Sequence, residues 1–535
     1  MKRRQLLKSA LLPALPAMGG ALAGCAAAQS NASRSPSDAA DAEALEADVV
    51  IVGAGFAGLS AAVTAARTGA KTAVLEKRAY AGGDGILSVG ILASSYSGVH
   101  KALGYKGHAD LEDYWSMIES GKTDEPLAKV RDNMPNSPIY AGFVKHDPRV
   151  LRRSAENSAA VADFVASFGI EFLPVNPSQP FLLASKPGSM PKFAQAMLEE
   201  AKRLGVVLRT GTRVTRLLTE AEAARDGGPD AVGRVRVTGV EAAGKSGRLI
   251  VRAPAVILAA GGFIDNAAYL RRYKRVWASI PKGFTAVGEG VPPGHDGDGI
   301  AMGRLAGAAI EDMESMPKLF AAPKSGEKSP SWILFDTDTA YLVDKAGRRF
   351  CDEHASRYAG CALECFRQKL SGGYVVFDEA TFTGPNAQRW RYAALLEEKG
   401  LFRGETVEEA AERAGVDPKG LRETVERINR DAAAGRGDTA FGRRDKLFRA
   451  LRGPFYVSTA SSPVMFKTEG GLEVDPDFRV LRAADDSPIS GLYAVGSNCG
   501  SISTRLCDVI ASGLIAGPAA AAFARGGAGE AKPVI

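Results

Sequence analysis

Apolar residues recur along this chain in three patterns, and each predicts a different element. Short uninterrupted runs, Val49–Val52, Val206–Leu208, Ala255–Ala260 and Leu492–Val495, read as strands buried on both faces of a sheet. Apolar positions three or four apart, first Leu59, Val63 and Ala66, then Phe193, Met197 and Ala201, read as helices with one face inward. From about Met313 the texture changes: Ala340–Asp344 and Tyr374–Asp378 alternate, which suggests strands around short loops. Thr406 and Glu409 form a capping box, and Asp417-Pro418 opens a helix with Leu421, Val425 and Ile428 on one face. Ser503 to Ala524 reads as a closing helix. Strands followed by helices at both ends of the chain predict a doubly wound α/β sheet.

The turn after the first run carries the strongest chemical signal. Gly53, Gly55 and Gly58 form G-x-G-x-x-G between strand and helix, and Glu76 closes the next apolar run eighteen positions after Gly58. Gly53 permits the tight turn, Gly55 lets backbone approach a pyrophosphate, and Gly58 lets helix and strand pack closely. The helix N-terminus then faces the phosphates, and the Glu76 carboxylate accepts from an adenosine ribose. Further glycines sit at element ends: Gly82, Gly83 and Gly90 near Ser88, then Ala260-Gly261-Gly262, then Gly496. Each allows backbone to approach a ligand.

The N-terminus reads as a targeting segment. Arg3-Arg4 with Lys2 and Lys8 is a twin-arginine start, and Leu11 to Gly24 is apolar but too short and too broken to span a bilayer stably. Leu22-Ala23-Gly24-Cys25 resembles a bacterial lipobox, with Cys25 lipidated after cleavage. This predicts export by the twin-arginine route and a lipid anchor at the periplasmic face or cell surface. Residues 1–25 are then signal peptide, and 26–47, rich in Ala, Ser, Asp and Glu, a flexible tether. The formal charge of +6 owes four units to residues 1–24, leaving 63 basic against 61 acidic residues, a balance that gives no support for nucleic-acid binding. Five cysteines beyond Cys25 form no C-x-x-C, which argues against attached haem or an iron–sulfur cluster, and five scattered histidines make no metal site. Free, mostly buried thiols are expected.

At this point the chain resembles the fumarate reductase/succinate dehydrogenase flavoprotein family, in its soluble flavocytochrome-type branch. VIVGAGFAGLSAA at 50–62 with LEK at 75–77, VILAAGGF at 256–263 and GDGIAMGRLAGA at 297–308 carry the resemblance. GRRFCDEHASR at 347–357 and GLYAVGSNCG at 491–500 complete it, with Asp438–Arg443 and Gly453–Tyr456 beside them. The resemblance implies an α/β fold: a Rossmann-like FAD-binding domain (48–312 and 467–525) with an inserted α+β capping domain (313–466) and a tail at 526–535. It implies noncovalent FAD, a cofactor inserted before export. It adds Phe56, Ala57, Lys77, Val214, Asp298 and Ile510 to the expected cofactor contacts. It also implies Arg357 as proton donor, with Asp352 in place of the usual asparagine, and Arg505 as the clamp on a substrate carboxylate.

Three family segments are missing. The His-Pro-Thr segment reads Met316–Ala322, the second substrate histidine is replaced by Lys467-Thr468-Glu469, and the T-E-x-x-R relay reads Trp332–Asp338. These departures point away from fumarate and toward a larger acceptor flanked by Trp332, Phe335 and Tyr341. The expected activity is reduction of an activated C=C bond of an unsaturated acid or enone, with electrons from a separate cytochrome or small flavoprotein. The alternatives are a ketosteroid-type enone dehydrogenase, with Tyr358 and Tyr341 moving the proton, and a non-catalytic electron-transfer flavoprotein. Glu353, four residues before Arg357, is the expected partner if Arg357 is merely structural.

Overall fold

Three of the uninterrupted apolar runs form strands buried from solvent; the fourth, Val206–Leu208, does not, because its strand lies at the edge of the sheet with Val207 and Leu208 exposed. The computed structural model describes residues 42–527 except 89, 108–109, 120–146, 176–179, 222–233, 246, 274–293, 312, 314–317, 324–329, 332–334, 337, 355–360, 362–363, 366–367, 371, 386, 388–390, 444–446, 466–467 and 503–504. In chain order come β1 (Glu43–Glu46), β2 (Val49–Val52), β3 (Thr72–Leu75) and β4 (Val207–Arg209). Then follow β5 (Thr212–Ala221), β6 (Val235–Gly244), β7 (Gly247–Arg252) and β8 (Ala255–Leu258). A second group is β9 (Tyr341–Val343), β10 (Tyr374–Asp378), β11 (Leu401–Gly404) and β12 (Phe455–Ser458). The chain returns with β13 (Arg479–Leu481) and β14 (Pro488–Ala494).

Among the described residues one ten-stranded sheet has the order β1-β7-β6-β14-β8-β2-β3-β4, with β5 on β6 and β13 on β14. Parallel register sets Val49 opposite both Thr72 and Ala255, and Val256 opposite Leu492. A strand from the far end of the chain therefore lies two places from the glycine-turn strand.

The helices that position the site are α1 (Phe56–Arg67), α2 (Ser189–Arg203), α3 (Asp298–Leu305), α4 (Val407–Ala414), α5 (Pro418–Ala433) and α6 (Leu506–Ala524). Helix α6 is long and apolar enough to cross a membrane, yet its face is spent on α1. A Cβ on Gly513 would come within 2.3 Å of the Ala57 carbonyl oxygen, and one on Gly517 within 2.5 Å of that of Ala61. Glycine there lets the two backbones touch.

Residues 341–458 contain a separate antiparallel sheet of order β9-β10-β12-β11. The expected alternation is present: Leu342 and Phe377 pack with Phe335 and Tyr392 on one face, Tyr341 and Val343 with Leu421, Val425 and Ile428 on the other. Asp417 caps α5 by accepting from the Lys419 amide. At α4 Thr406 accepts from the Glu409 amide, but the Glu409 carboxylate takes the Glu405 amide, one residue outside the expected box.

Candidate active site

The three glycines of the first turn have three different reasons to be glycine. Gly53 has φ +107°, and a Cβ would sit 2.4 Å from the Ala259 carbonyl oxygen. A Cβ on Gly58 would lie 2.1 Å from the Gly53 carbonyl oxygen. Gly55 is ordinary by contrast: φ is −75°, and the nearest atom to an added Cβ is Gly83 Cα at 3.9 Å. The protein itself leaves room for a side chain at Gly55, so a close-approaching ligand is what glycine serves there. Helix α1 begins at this residue with no side-chain cap and no acid in its first turn, which leaves its N–H groups for an anion.

Glu76 is buried at the end of β3. One carboxylate oxygen accepts from the Ala54 amide at 2.7 Å, the other from the Arg78 amide at 2.8 Å. Two backbone donors fix the carboxylate beside the turn, and each oxygen keeps a lone pair for a further donor.

These groups open onto a cavity of about 500 Å³, within the usual range for cofactor sites. Of the expected contacts, Gly53, Gly55, Phe56, Ala57, Glu76, Lys77, Gly83, Ser88, Val214, Ala260, Gly261, Gly262, Asp298 and Gly496 line it. Four do not. Gly58 packs beneath the turn, and Gly82 gives its amide to the Ala54 carbonyl. Gly90 has φ +73° and abuts Ser185, while Ile510 is wholly buried in α6, which turns Leu506 and Val509 to the cavity instead.

The second glycine pair is held by a residue the sequence did not single out. Asn498 accepts from the Ala260 amide and donates to the Gly261 carbonyl at 3.1 Å. Thr468, on the cavity wall, accepts from the Phe263 amide at 3.0 Å. Charges gather beside Glu76: Lys77 reaches Asp296 and Asp298, each at 3.1 Å, and Arg213 reaches the same pair at 3.0 and 2.7 Å. Arg78 and His295 also line the wall, and only the fold brings them together.

Arg505 lines the cavity as the N-cap of α6, its Nε donating to Asp508 at 2.8 Å. A third of its side-chain surface remains open. Arg357 and Tyr358 lie outside the described residues. The segment leading to them is anchored by a buried cluster: Arg349 pairs with Glu353 and with Asp438, each at 2.6 Å, against the rings of Tyr341 and Phe441. The Glu353 carboxylate also takes the Leu342 amide at 2.7 Å. The i,i+4 spacing that offers Glu353 to Arg357 offers it equally to Arg349, and the Arg349 pairing is present. Removing the cation from between two buried carboxylates is expected to destabilise by about 3–5 kcal/mol. Denaturant unfolding of Arg349→Met measures it; a loss near 0.5 kcal/mol, as for an exposed helical pair, contradicts this reading. Phe335 and Tyr341 are fully buried in the cores of the smaller sheet, and the Tyr341 hydroxyl donates to the Arg449 carbonyl. They are packing residues and do not flank an acceptor. Trp332 lies outside the described residues.

Sheet, glycine turn, free helix N-terminus and ribose-side carboxylate together define a dinucleotide-binding protein of the doubly wound class. The open space at Gly55 and the lone pairs left on Glu76 fit the pyrophosphate and ribose of FAD. The FAD binding domain family matches residues 48–507, and the chain belongs to that family; it is an FAD-dependent oxidoreductase. It is 27% identical over 496 residues to a fumarate reductase (cytochrome) of Shewanella frigidimarina, covering 89% of this chain and 77% of that one. It is also 27% identical over 505 residues to the urocanate reductase of Eggerthella lenta, covering 90% and 75%. The open conformation of a flavocytochrome c3 fumarate reductase shares the fold, with TM-score 0.64 and 24% identity over 90% of this chain and 79% of that one.

Proposed function

We propose that this protein is an exported reductase of the activated C=C bond of an unsaturated organic acid or enone. The observation that carries the reading is Arg505, an arginine fixed by Asp508 on the wall of the cavity that fits FAD. The fumarate and urocanate reductases among the relatives support the same reaction. When bound, FAD supplies the hydride. Arg505 presents its guanidinium to an acceptor carboxylate or carbonyl, with Asp508 holding the donor fork in one orientation. Arg357 holds the proton for the carbon next to the one that takes hydride. Residues 313–466 serve as the cap that excludes water. Electrons enter from a separate cytochrome or small flavoprotein. Anaerobic titration of the reduced holoenzyme with a panel of enoates and enones tests the proposal. Reoxidation by one of them is expected; reoxidation by redox proteins alone makes the protein an electron carrier.

Export and anchoring complete the reading and rest on the first 25 residues. Cys25→Ala is expected to move the folded protein from the membrane to the soluble periplasmic fraction, because the lipid chains supply the affinity. Unchanged fractionation argues against the anchor. Export that survives Arg3→Lys with Arg4→Lys argues against the twin-arginine route.

A further inference from the structure

Asp84 follows Gly83 directly, and Gly83 rests on the glycine turn: a Cβ there would come within 2.8 Å of Gly55 Cα. The Asp84 carboxylate joins two cations on the cavity wall. It accepts from Arg78 Nη1 at 3.0 Å through one oxygen and from His295 Nε2 through the other. Arg78 Nη2 lies 3.4 Å from both ring nitrogens of His295. The two cationic groups are thus held side by side one residue from the backbone that a pyrophosphate approaches.

Like charges at that distance repel, and the surroundings offset the repulsion. Asp265 accepts from the Gly294 and His295 amides at 2.9 and 2.8 Å and faces the ring Nδ1 at 3.3 Å. Asp296 and Asp298, which follow His295 in the chain, are taken up by Lys77 and Arg213. Burial disfavours the His295 charge, but hydrogen bonds to Asp265 and Asp84 outweigh it against the opposing field of Arg78 and raise its pKa to about 9. Around the whole cavity the lining carries more cationic side chains than carboxylates, the sign that suits an anionic ligand.

We propose that Arg78 and His295 form a cation pair that binds the diphosphate of the cofactor, adding charge to a contact otherwise made by the glycine turn and the α1 N-terminus. The proposal rests on the FAD reading and names two residues within it. Asp84 presets the pair before the cofactor arrives, and Asp265 holds the ring to its loop. Binding a dianion favours protonated His295, so cofactor affinity is coupled to proton uptake. The sign follows from the raised pKa: the ring is already charged in the cofactor-free protein below about 9, so the histidine contribution to binding is complete there and is lost as pH rises above that value.

The test uses the full-length chain stripped of flavin, with FAD, ADP and adenosine as probes and no turnover assay. In Arg78→Gln and His295→Gln, ADP is expected to weaken about 10-fold or more, whereas adenosine changes by less than about twofold. Wild-type ADP affinity should fall from pH 8 to pH 10, and His295→Gln should remove that slope. Added salt should weaken ADP binding to the wild type but spare adenosine, a measurement that needs no variant. Equal weakening of ADP and adenosine, or a pH slope that survives in His295→Gln, overturns the proposal. Failure of the stripped wild type to bind FAD at all would instead remove the FAD reading itself.

Discussion

Gly55→Val is expected to yield a folded chain that emerges from purification without flavin. The reason lies in the contrast between this glycine and its neighbours. At Gly53 and Gly58 a side chain would strike the protein's own backbone, so substitutions there damage the fold and the site together. At Gly55 the backbone is ordinary and the nearest atom is 3.9 Å from an added Cβ, so the fold tolerates the valine. The ligand does not, because the added carbons occupy the space where pyrophosphate meets amide. Losing those charge-assisted contacts weakens binding by about 100-fold or more, equivalent to about 2.7 kcal/mol. Flavin absorbance per mole of protein, beside a melting curve, separates the two effects. Full flavin occupancy in Gly55→Val would remove the basis of the site.

The second large effect is expected at Arg357. If it donates the proton, Arg357→Ala lowers turnover by about 10²–10⁴-fold while flavin content and stability stay near wild type. Arg357→Lys fails to restore it, since an ammonium does not reproduce the planar fork. The Arg349 cluster sharpens the comparison. Glu353 holds Arg349 and the Leu342 amide, and if Arg357 only pairs with the same carboxylate the loss in Arg357→Ala is expected to be small. Turnover with a reduced-dye donor in both variants is the measurement. Near-wild-type rates in Arg357→Ala end the assignment and transfer suspicion to Tyr358.

Local signals proved legible in the sequence, and distant ones did not. The glycine turn, Glu76 and the strands beside it could be read because each depends on residues within one βαβ span. The buried strand β8 and the helices capped by Thr406 and Asp417 were legible for the same reason. Arg78 stood two residues from Glu76 in plain view, but its meaning depends on His295, which lies 217 positions away. Asn498 meets Ala260 across 238 positions. No spacing rule joins such pairs; the parallel register of β8 with β14 brings the second together. Ile510 failed for a smaller reason, since a few residues of phase along α6 exchange the cavity face for the core. Glu353 has two arginines at helical spacing, and only the fold reveals that Arg349 is buried against it.

The placement of β14 and α6 also dictates when the site can come into being. Both arise from the last fifty residues, yet β14 sits between β6 and β8 and α6 lies backbone to backbone on α1. During synthesis the first turn leaves the ribosome long before its neighbours exist, with an unfilled slot beside β8 and a bare face on α1. The N-terminal half is therefore not an independent foldon: it waits for the C-terminal segment to close the sheet. Cofactor loading is consequently expected only after the last strand and helix have been made, and a chain truncated before Pro488 is expected to lose the fold together with the flavin.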